Sequence, residues 1–482
     1  MEISNEDFKK LIYQATDMIT DWYDKKLRGS KIYNNKSPAE IRETFKIKSK
    51  NKGTKAHEVI KKLEKNLIDS SNFNPSPNYY GYITGGGNQI GIIAEYIKAA
   101  LNQNNLKWHS APANSEIEKI VIEWISEFIG YNQKCGGVLV SGGSVANLMN
   151  IAVMRKVKGG KKIKEKGIYK EKVMRVYVSE EGHSSIDKAM DILGLGSENL
   201  VKVKRDKNSK IQINELKKKI NHDIKSGLKP IGVIGIAGTT NTGSVDPMDE
   251  IEKVCKKFDL WFMVDAAYGG PAAGLKEYKS LFMGMEKADS ILLNPHKWMF
   301  VPFEVACVLV KNQQQLKNTF SLIPEYLMGG ADIDERADLM NYSIQLSKDF
   351  KALKVWMTIK VYGHSAISKA IRNDIEMALY AYEKIKNNDL FKALHKPELS
   401  IFCFKYISKS KNVSDDILNK KIIEEIEKDG RVFLSGTVID KENVLRINCI
   451  NHRRNKKDID FLIRVLEEIG SKVEDKLGNL SV

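Results

Sequence analysis

"LWFMVDAAYGGPAA", residues 260–273, sets five apolar residues in a row, ends them on Asp265, and follows with alanines and glycines. The apolar run is too short for a buried helix and carries no alternation, so it predicts a strand covered on both faces, as in a parallel sheet. Downstream, "SILLNPHKW" (290–298) repeats the pattern and delivers Lys297 behind Pro295 and His296, 32 residues after Asp265. Upstream and beyond lie further short apolar runs: "GGVLV" (136–140), "VMRVYV" (173–178), "IGVIGIA" (231–237) and "ACVLV" (306–310). Between them stand stretches with helical spacing. Short strands alternating with helices predict an α/β fold, a mostly parallel central sheet flanked by helices.

The flanks read differently. Residues 1–97 predict a helical arm: "NEDFKKLIYQATDMITDWYDKKL" has helical apolar spacing, and Ser37 with Pro38 marks a helix start. Residues 98–368 hold the alternating pattern and form the large domain. The stretch 348–386 outruns a single globular helix and is expected to bend near Gly363, leading into residues 369–482. There "LSIFCFKYI", "RVFLSGTVI" and "NVLRINCI" predict strands of a small α+β domain.

The 482 residues contain 42% hydrophobic side chains and 11 prolines, the composition of an ordinary globular protein. No apolar run approaches the roughly 20 residues that span a bilayer, and the N-terminus has no signal-peptide core, which predicts a cytoplasmic protein without membrane contact. Five scattered cysteines fit neither a disulfide framework nor a metal site, so no metal is expected. The net charge of +16 is spread over stretches such as 46–55 and 156–172, without interleaved aromatics or a nucleic-acid motif. Nucleic acid is therefore not an expected partner.

In open α/β sheets ligands sit beyond the carboxyl ends of the strands, so the residues that follow each strand carry the chemistry. After the strand 136–140 come Ser141, Gly142, Gly143 and Ser144 and then a helix. Amides at a helix start can hold a phosphate; a serine that merely caps the helix gives the same sequence. After 173–178 comes His183 at another helix start, where a capping role competes with a functional one. After 231–237 come Thr239 and Thr240 in a polar turn. Asp265 at the end of an apolar strand needs a cation or several donors. A lysine such as Lys297 in an enclosed site can lose its proton and attack an aldehyde. An anchoring amine, a buried aspartate, a flat side chain and a phosphate site together meet the needs of pyridoxal 5'-phosphate.

With these motifs in order, the chain resembles the group II pyridoxal-phosphate decarboxylases, the aromatic L-amino acid decarboxylases and their glutamate and histidine relatives. The resemblance runs over residues 70–460 and rests on "SGGSVAN", "HSS", "GTTNTGSVDP", "VDAAYGG" and "NPHKW". It implies the fold of aspartate aminotransferase (type I), a homodimer with shared active sites, and an amino acid substrate. It further implies Lys297 as the covalent anchor of the cofactor, Asp265 at the pyridine nitrogen, His183 stacked on the ring with Ala267 on the opposite face, Gly143, Ser144, Asn294 and His296 around the phosphate, and Thr240 beside the cofactor.

By the same resemblance, "SPNYYGYITGGGNQ" (76–89) lines the side-chain pocket, with Tyr82 and Ile83 and no cation, which favours an aromatic substrate over an acidic one. Ile83 in place of a phenylalanine, with added room at Gly85 to Gly87, favours tryptophan, then tyrosine or phenylalanine. "NNLKWHSAP" (104–112) matches a pocket segment given by the other subunit, with Leu106 as apolar lining and His109 as a hydrogen-bonding or structural residue. The family's loop tyrosine, which protonates the α-carbon after CO2 leaves, falls on Leu339 when counted back from "LKVW" (353–356). Tyr342 is the nearest phenol, and His183 is another candidate acid. Because relatives in which that tyrosine becomes phenylalanine produce aldehydes, Leu339 also admits an aldehyde synthase; an acidic amino acid decarboxylase is the remaining alternative.

Overall fold

In a computed structural model of the protein, the described residues are 2–28, 31–46, 53–132, 134–160, 162–169, 171–322, 336–410 and 413–480. Positions 334 and 335 of the loop stretch carrying Leu339, and parts of the two lysine-rich stretches, lie outside them. The chain forms two compact units. One comprises Ile83–Glu376 with Pro397–Ile401; the other joins Met1–Tyr82 to Met377–Lys396 and Phe402–Val482.

The larger unit holds a seven-stranded sheet: β1 (Gly136–Val140), β2 (Met174–Ser179), β3 (Leu200–Val203), β4 (Lys229–Ile236), β5 (Trp261–Asp265), β6 (Ser290–Leu293) and β7 (Ala306–Val310). Their order is β1-β7-β6-β5-β4-β2-β3. β2 to β6 pair in parallel, while β7 runs antiparallel to both β6 and β1. Two reversals restore the direction, so β1 points the same way as β6. The carboxyl ends of β1, β2, β4, β5 and β6 therefore share one edge of the sheet.

The central strands are mostly apolar because helices cover the sheet: every residue of β1, β5, β6 and β7 is buried. The helix Gly143–Gly159 follows β1 and presses Ala146, Met149, Val153 and Met154 into the cluster formed by Val138, Ile234, Met263 and Leu292. Full burial of each such side chain contributes about 1.5–3 kcal/mol. The long helix Ala352–Lys386 breaks at Gly363, whose φ of 70° departs from helical geometry, as the sequence predicts.

The second unit is built from both ends of the chain. Its sheet has the order β10-β11-β9-β8, from β8 (Phe391–Ala393), β9 (Ile401–Tyr406), β10 (Ser435–Ile439) and β11 (Glu442–Asn448). The N-terminal segment is helical at Asn5–Lys26, Pro38–Phe45 and Ala56–Asn66, with a reciprocal Ser37–Glu40 capping box at the second start. No helix among the described residues is long and apolar enough to cross a membrane.

Candidate active site

The shared carboxyl edge opens on a cavity of ≈450 Å³ in the larger unit. Ser141 to Ser144 enter it from the end of β1, His183 from beyond β2, Thr240 from beyond β4, Asp265 and Ala267 from β5, and Asn294, His296 and Lys297 from beyond β6. Eleven separate positions, 141 to 297, thus converge because parallel strands end together, as expected at such an edge.

Asp265 is only 6% exposed. One carboxylate oxygen accepts the Ala267 amide at 3.1 Å and the other accepts Asn147 Nδ2 at 3.1 Å. Two donors do not saturate a carboxylate, so it keeps acceptor capacity toward the cavity. His183 caps the helix Ser184–Ile192: its Nδ1 accepts the Ser185 amide at 3.1 Å and lies 2.8 Å from Ser185 Oγ. The two readings of this histidine are therefore compatible, since the capping ring also lines the cavity. Burial holds its pKa below the ordinary imidazole value, and Lys297 lowers it further against the opposing pull of Asp265. A neutral ring can lie against a flat cation without repulsion.

The Ser141–Ser144 turn resolves differently from a serine cap. The N-cap of the following helix is Gly142, and no side chain bonds the first amides. Gly143 faces Asn294 so closely that a Cβ there would lie 2.9 Å from Asn294 Nδ2. Asn294 is buried, and its Oδ1 has no hydrogen-bond partner. His296 accepts the Val305 amide at Nδ1 (3.1 Å), which leaves its proton on Nε2. Burial lowers its pKa to about 3. Open amides, serine hydroxyls and an imidazole N–H make one end of the cavity an anion site; Asp265 makes a cation site; Lys297 offers an amine between strands. This donor set fits pyridoxal 5'-phosphate, whose phosphate, pyridine nitrogen and aldehyde require those three kinds of partner.

The residues assigned to a substrate pocket lie elsewhere. Tyr82 belongs to the other unit and is 60% exposed, His109 is exposed, and Ile83 is buried outside the lining. Gly85 adds no room: a Cβ there would fall 2.2 Å from the Lys297 carbonyl oxygen, so its missing side chain lets the backbone of 83–87 pack against the lysine segment. The segments of Leu106 and Leu339 meet where the Met340 amide donates to the Leu106 carbonyl at 3.0 Å, but neither leucine lines the cavity. Tyr342, on the turn Leu339–Tyr342, lines a separate recess of ≈490 Å³ with Cys135, Lys317 and Arg336, and burial pushes its phenol pKa up.

Several lining residues lack an evident mark in the sequence: Asn147, Glu181, Ser185, Tyr268, Phe303 and Glu304. Asn147 could have been found from Ser144, three residues earlier on the same helix face. Ser185 lies inside the "HSS" motif itself.

A family model for the pyridoxal-dependent decarboxylase conserved domain matches residues 38–407. The chain is similar to the aromatic-L-amino-acid decarboxylase of Bacillus atrophaeus, 30% identical over 476 residues, which cover 98% of this chain and 97% of the relative. It is also similar to the 4-hydroxyphenylacetaldehyde synthase of Rhodiola rosea, 27% identical over 98% of this chain and 96% of that one. Among solved structures, that of Oryza sativa TDC with PLP and tryptamine matches with a TM-score of 0.93 at 22% identity, over 98% of this chain and 99% of that one. At that identity the match speaks for the fold.

Proposed function

Because the chain belongs to the pyridoxal-dependent decarboxylase family, we propose that it removes the carboxylate of an aromatic L-amino acid, giving the arylethylamine and CO2, with tryptophan as first candidate. The observation that carries this reading is the composition of the cavity: Lys297, Asp265 and His183 converge, and among the described residues the lining contains no arginine and no second lysine. A distal carboxylate on the substrate would need such a cation. When bound, pyridoxal phosphate supplies an electron sink for the pair left by departing CO2.

The chain's own residues supply the rest. Lys297 would be the amine that anchors the cofactor through its aldehyde. Asp265, held by two donors, would hold a proton at the pyridine nitrogen. His183 and Ala267 would confine the ring. Gly143, Ser144, Asn294 and His296 would hold the phosphate, with Thr240 as a further cofactor contact. Family relatives named for aromatic amino acids support the substrate class.

A second reading has its own support. Leu339 stands where the family resemblance expects the proton-donating tyrosine, and Tyr342 lines a different recess. Without that donor, oxygen can intercept the reaction, giving aldehyde, CO2, ammonia and peroxide. Incubating the purified protein and pyridoxal phosphate with a pool of tryptophan, tyrosine, phenylalanine and glutamate, with products identified by mass, separates these readings. One amine per amino acid consumed supports decarboxylation; oxygen uptake with equal ammonia and peroxide would sink it. Turnover of glutamate alone would sink the aromatic assignment.

We further infer a cytoplasmic homodimer with shared sites. The position of Leu106 outside its own subunit's cavity lining suits a segment that serves a partner. Ile93, Tyr96, Ile97 and Leu101 form an exposed apolar stripe on the helix Gln89–Leu101. Four of the five cysteines are buried and the five are scattered along the chain, in keeping with a reducing compartment. Sedimentation of the purified protein at twice the chain mass supports the dimer; a monomer that is fully active would overturn it.

A further inference from the structure

Along the cavity wall a line of buried groups joins the two sides of the proposed cofactor site. Asn147 and Ser185 are 1% and 3% exposed. Asn147 Nδ2 donates to Asp265 at 3.1 Å and to Ser185 Oγ at 2.9 Å. Ser185 Oγ in turn lies 2.8 Å from His183 Nδ1, and the Ser185 amide donates to the same nitrogen at 3.1 Å.

The chemistry of each group fixes the direction of this chain. A carboxylate only accepts, so the asparagine must turn its NH2 and not its oxygen toward Asp265. That NH2 has a second hydrogen, which goes to the serine oxygen. The serine oxygen receives, so its own hydrogen is free to go to Nδ1. The backbone amide of Ser185 can only donate. Nδ1 thus faces two donors and must present its lone pair, which puts the ring's proton on Nε2. The opposite tautomer would set N–H against N–H at Nδ1 and leave the serine hydrogen without an acceptor.

Resting on the decarboxylase reading of the cavity, we propose that Asn147 and Ser185 are positioning residues: they link the Asp265 carboxylate to His183 and, beside the Ser185 amide, orient the imidazole as the Nε2–H tautomer, a donor toward the substrate carboxylate or the reacting carbon. Neither residue touches the reacting atoms; both act through the histidine. The relay also gives His183 a defined orientation over the ring, which stacking alone would not supply. It identifies the ring's one available donor where Leu339 replaces the expected phenol.

Histidine 15N NMR of the protein at pH 7.5, with and without pyridoxal phosphate, tests this, with His183 assigned from the resonances missing in His183→Gln. The wild-type protein is expected to show His183 with a protonated Nε2 and an unprotonated, hydrogen-bonded Nδ1 in both samples. In Asn147→Leu and in Ser185→Ala, both checked for intact circular dichroism, the Nδ1 signal should shift toward the unbonded value, while the backbone amide of residue 185 keeps Nδ1 an acceptor. Amine formation should fall on the order of tenfold in kcat with KM little changed, the scale of losing an outer orienting hydrogen bond. If Asn147→Leu does not fold, Ser185→Ala alone decides. Nδ1–H in the wild type, or an Nδ1 signal and kcat both unchanged in a folded variant, would overturn the relay. A wild-type protein that takes up no pyridoxal phosphate would instead overturn the decarboxylase reading, while the tautomer measured on the same sample still decides the relay.

Discussion

Lys297 follows His296 directly, yet the two side chains have different work because their surroundings differ. His296 is fixed by the Val305 amide and lies against Phe303 at 4.6 Å, whereas Lys297 is half-buried on the cavity wall. Lys297→Ala is expected to abolish turnover and the visible absorbance of the cofactor-loaded protein; retention of the band would show that another amine anchors the cofactor. Asp265→Asn keeps the size but removes the charge, and kcat should fall about 10²–10³-fold, the loss typical of one electrostatic partner in a dry site. Steady-state kinetics with saturating cofactor checks this. His296 also carries a pH signature. Its folded pKa is depressed from 6.5 to about 3, so below 6.5 the unfolded chain takes up a proton that the folded one refuses. Its contribution to stability is present above pH 6.5 and is lost as pH falls toward 3. The unfolding free energy of the wild type relative to His296→Gln should therefore drop by about 2 kcal/mol between pH 6.5 and 4.5, measurable by urea denaturation.

At the scale of elements, the edge of β1 is tied down by a buried ion pair that neither partner's local sequence announces. Glu118, on the helix Pro112–Phe128, accepts the Leu139 amide at 2.9 Å and bonds Lys348, from the segment ahead of the helix Ala352–Lys386. Both side chains are fully buried, and burial lowers the Lys348 pKa against the pull of Glu118. Lys348→Met alone should cost about 3–5 kcal/mol by leaving a buried carboxylate without its cation. Adding Glu118→Gln, which still accepts the Leu139 amide, should recover most of that loss; no recovery in thermal denaturation would show that the pair is not a unit. The strands with long apolar runs were legible because burial on both faces writes itself into composition. β3 and β8, at sheet edges with four and three residues, carry lysines at Lys202 and Lys392 and leave too short a pattern to read.

For the whole molecule, the two chain ends belong to one unit, although the sequence suggests a separate arm and a separate small domain. Arg454 joins them: its guanidinium donates to the carbonyls of Pro77 at 2.8 Å, Tyr79 at 2.7 Å and Asn448 at 3.2 Å, and lies 4.0 Å from the Tyr80 ring centroid. Phe433 packs with Tyr79 and Tyr33 at 4.9 and 4.8 Å in the same unit. Arg454→Lys cannot reproduce this fork and should destabilise by on the order of 3 kcal/mol, read as a lower urea midpoint. A chain beginning at residue 83 should expose Phe433 and its neighbours and aggregate; a monodisperse, folded product in size-exclusion chromatography would contradict the shared unit.

The sequence by itself determined the kind of fold and singled out Lys297, Asp265, His183 and the Ser141–Ser144 turn, which line one cavity, because strand burial and strand-end chemistry are local properties of short runs. Gly363 as a helix break is equally local. Only the tertiary structure decided that Gly85 yields its space to the Lys297 carbonyl, that Tyr342 lines a different recess, and that Asn147 and Ser185 connect Asp265 to His183. Those facts depend on which distant segments meet, and a hydrogen bond across 118 positions, as between Asn147 and Asp265, leaves no periodicity in the chain.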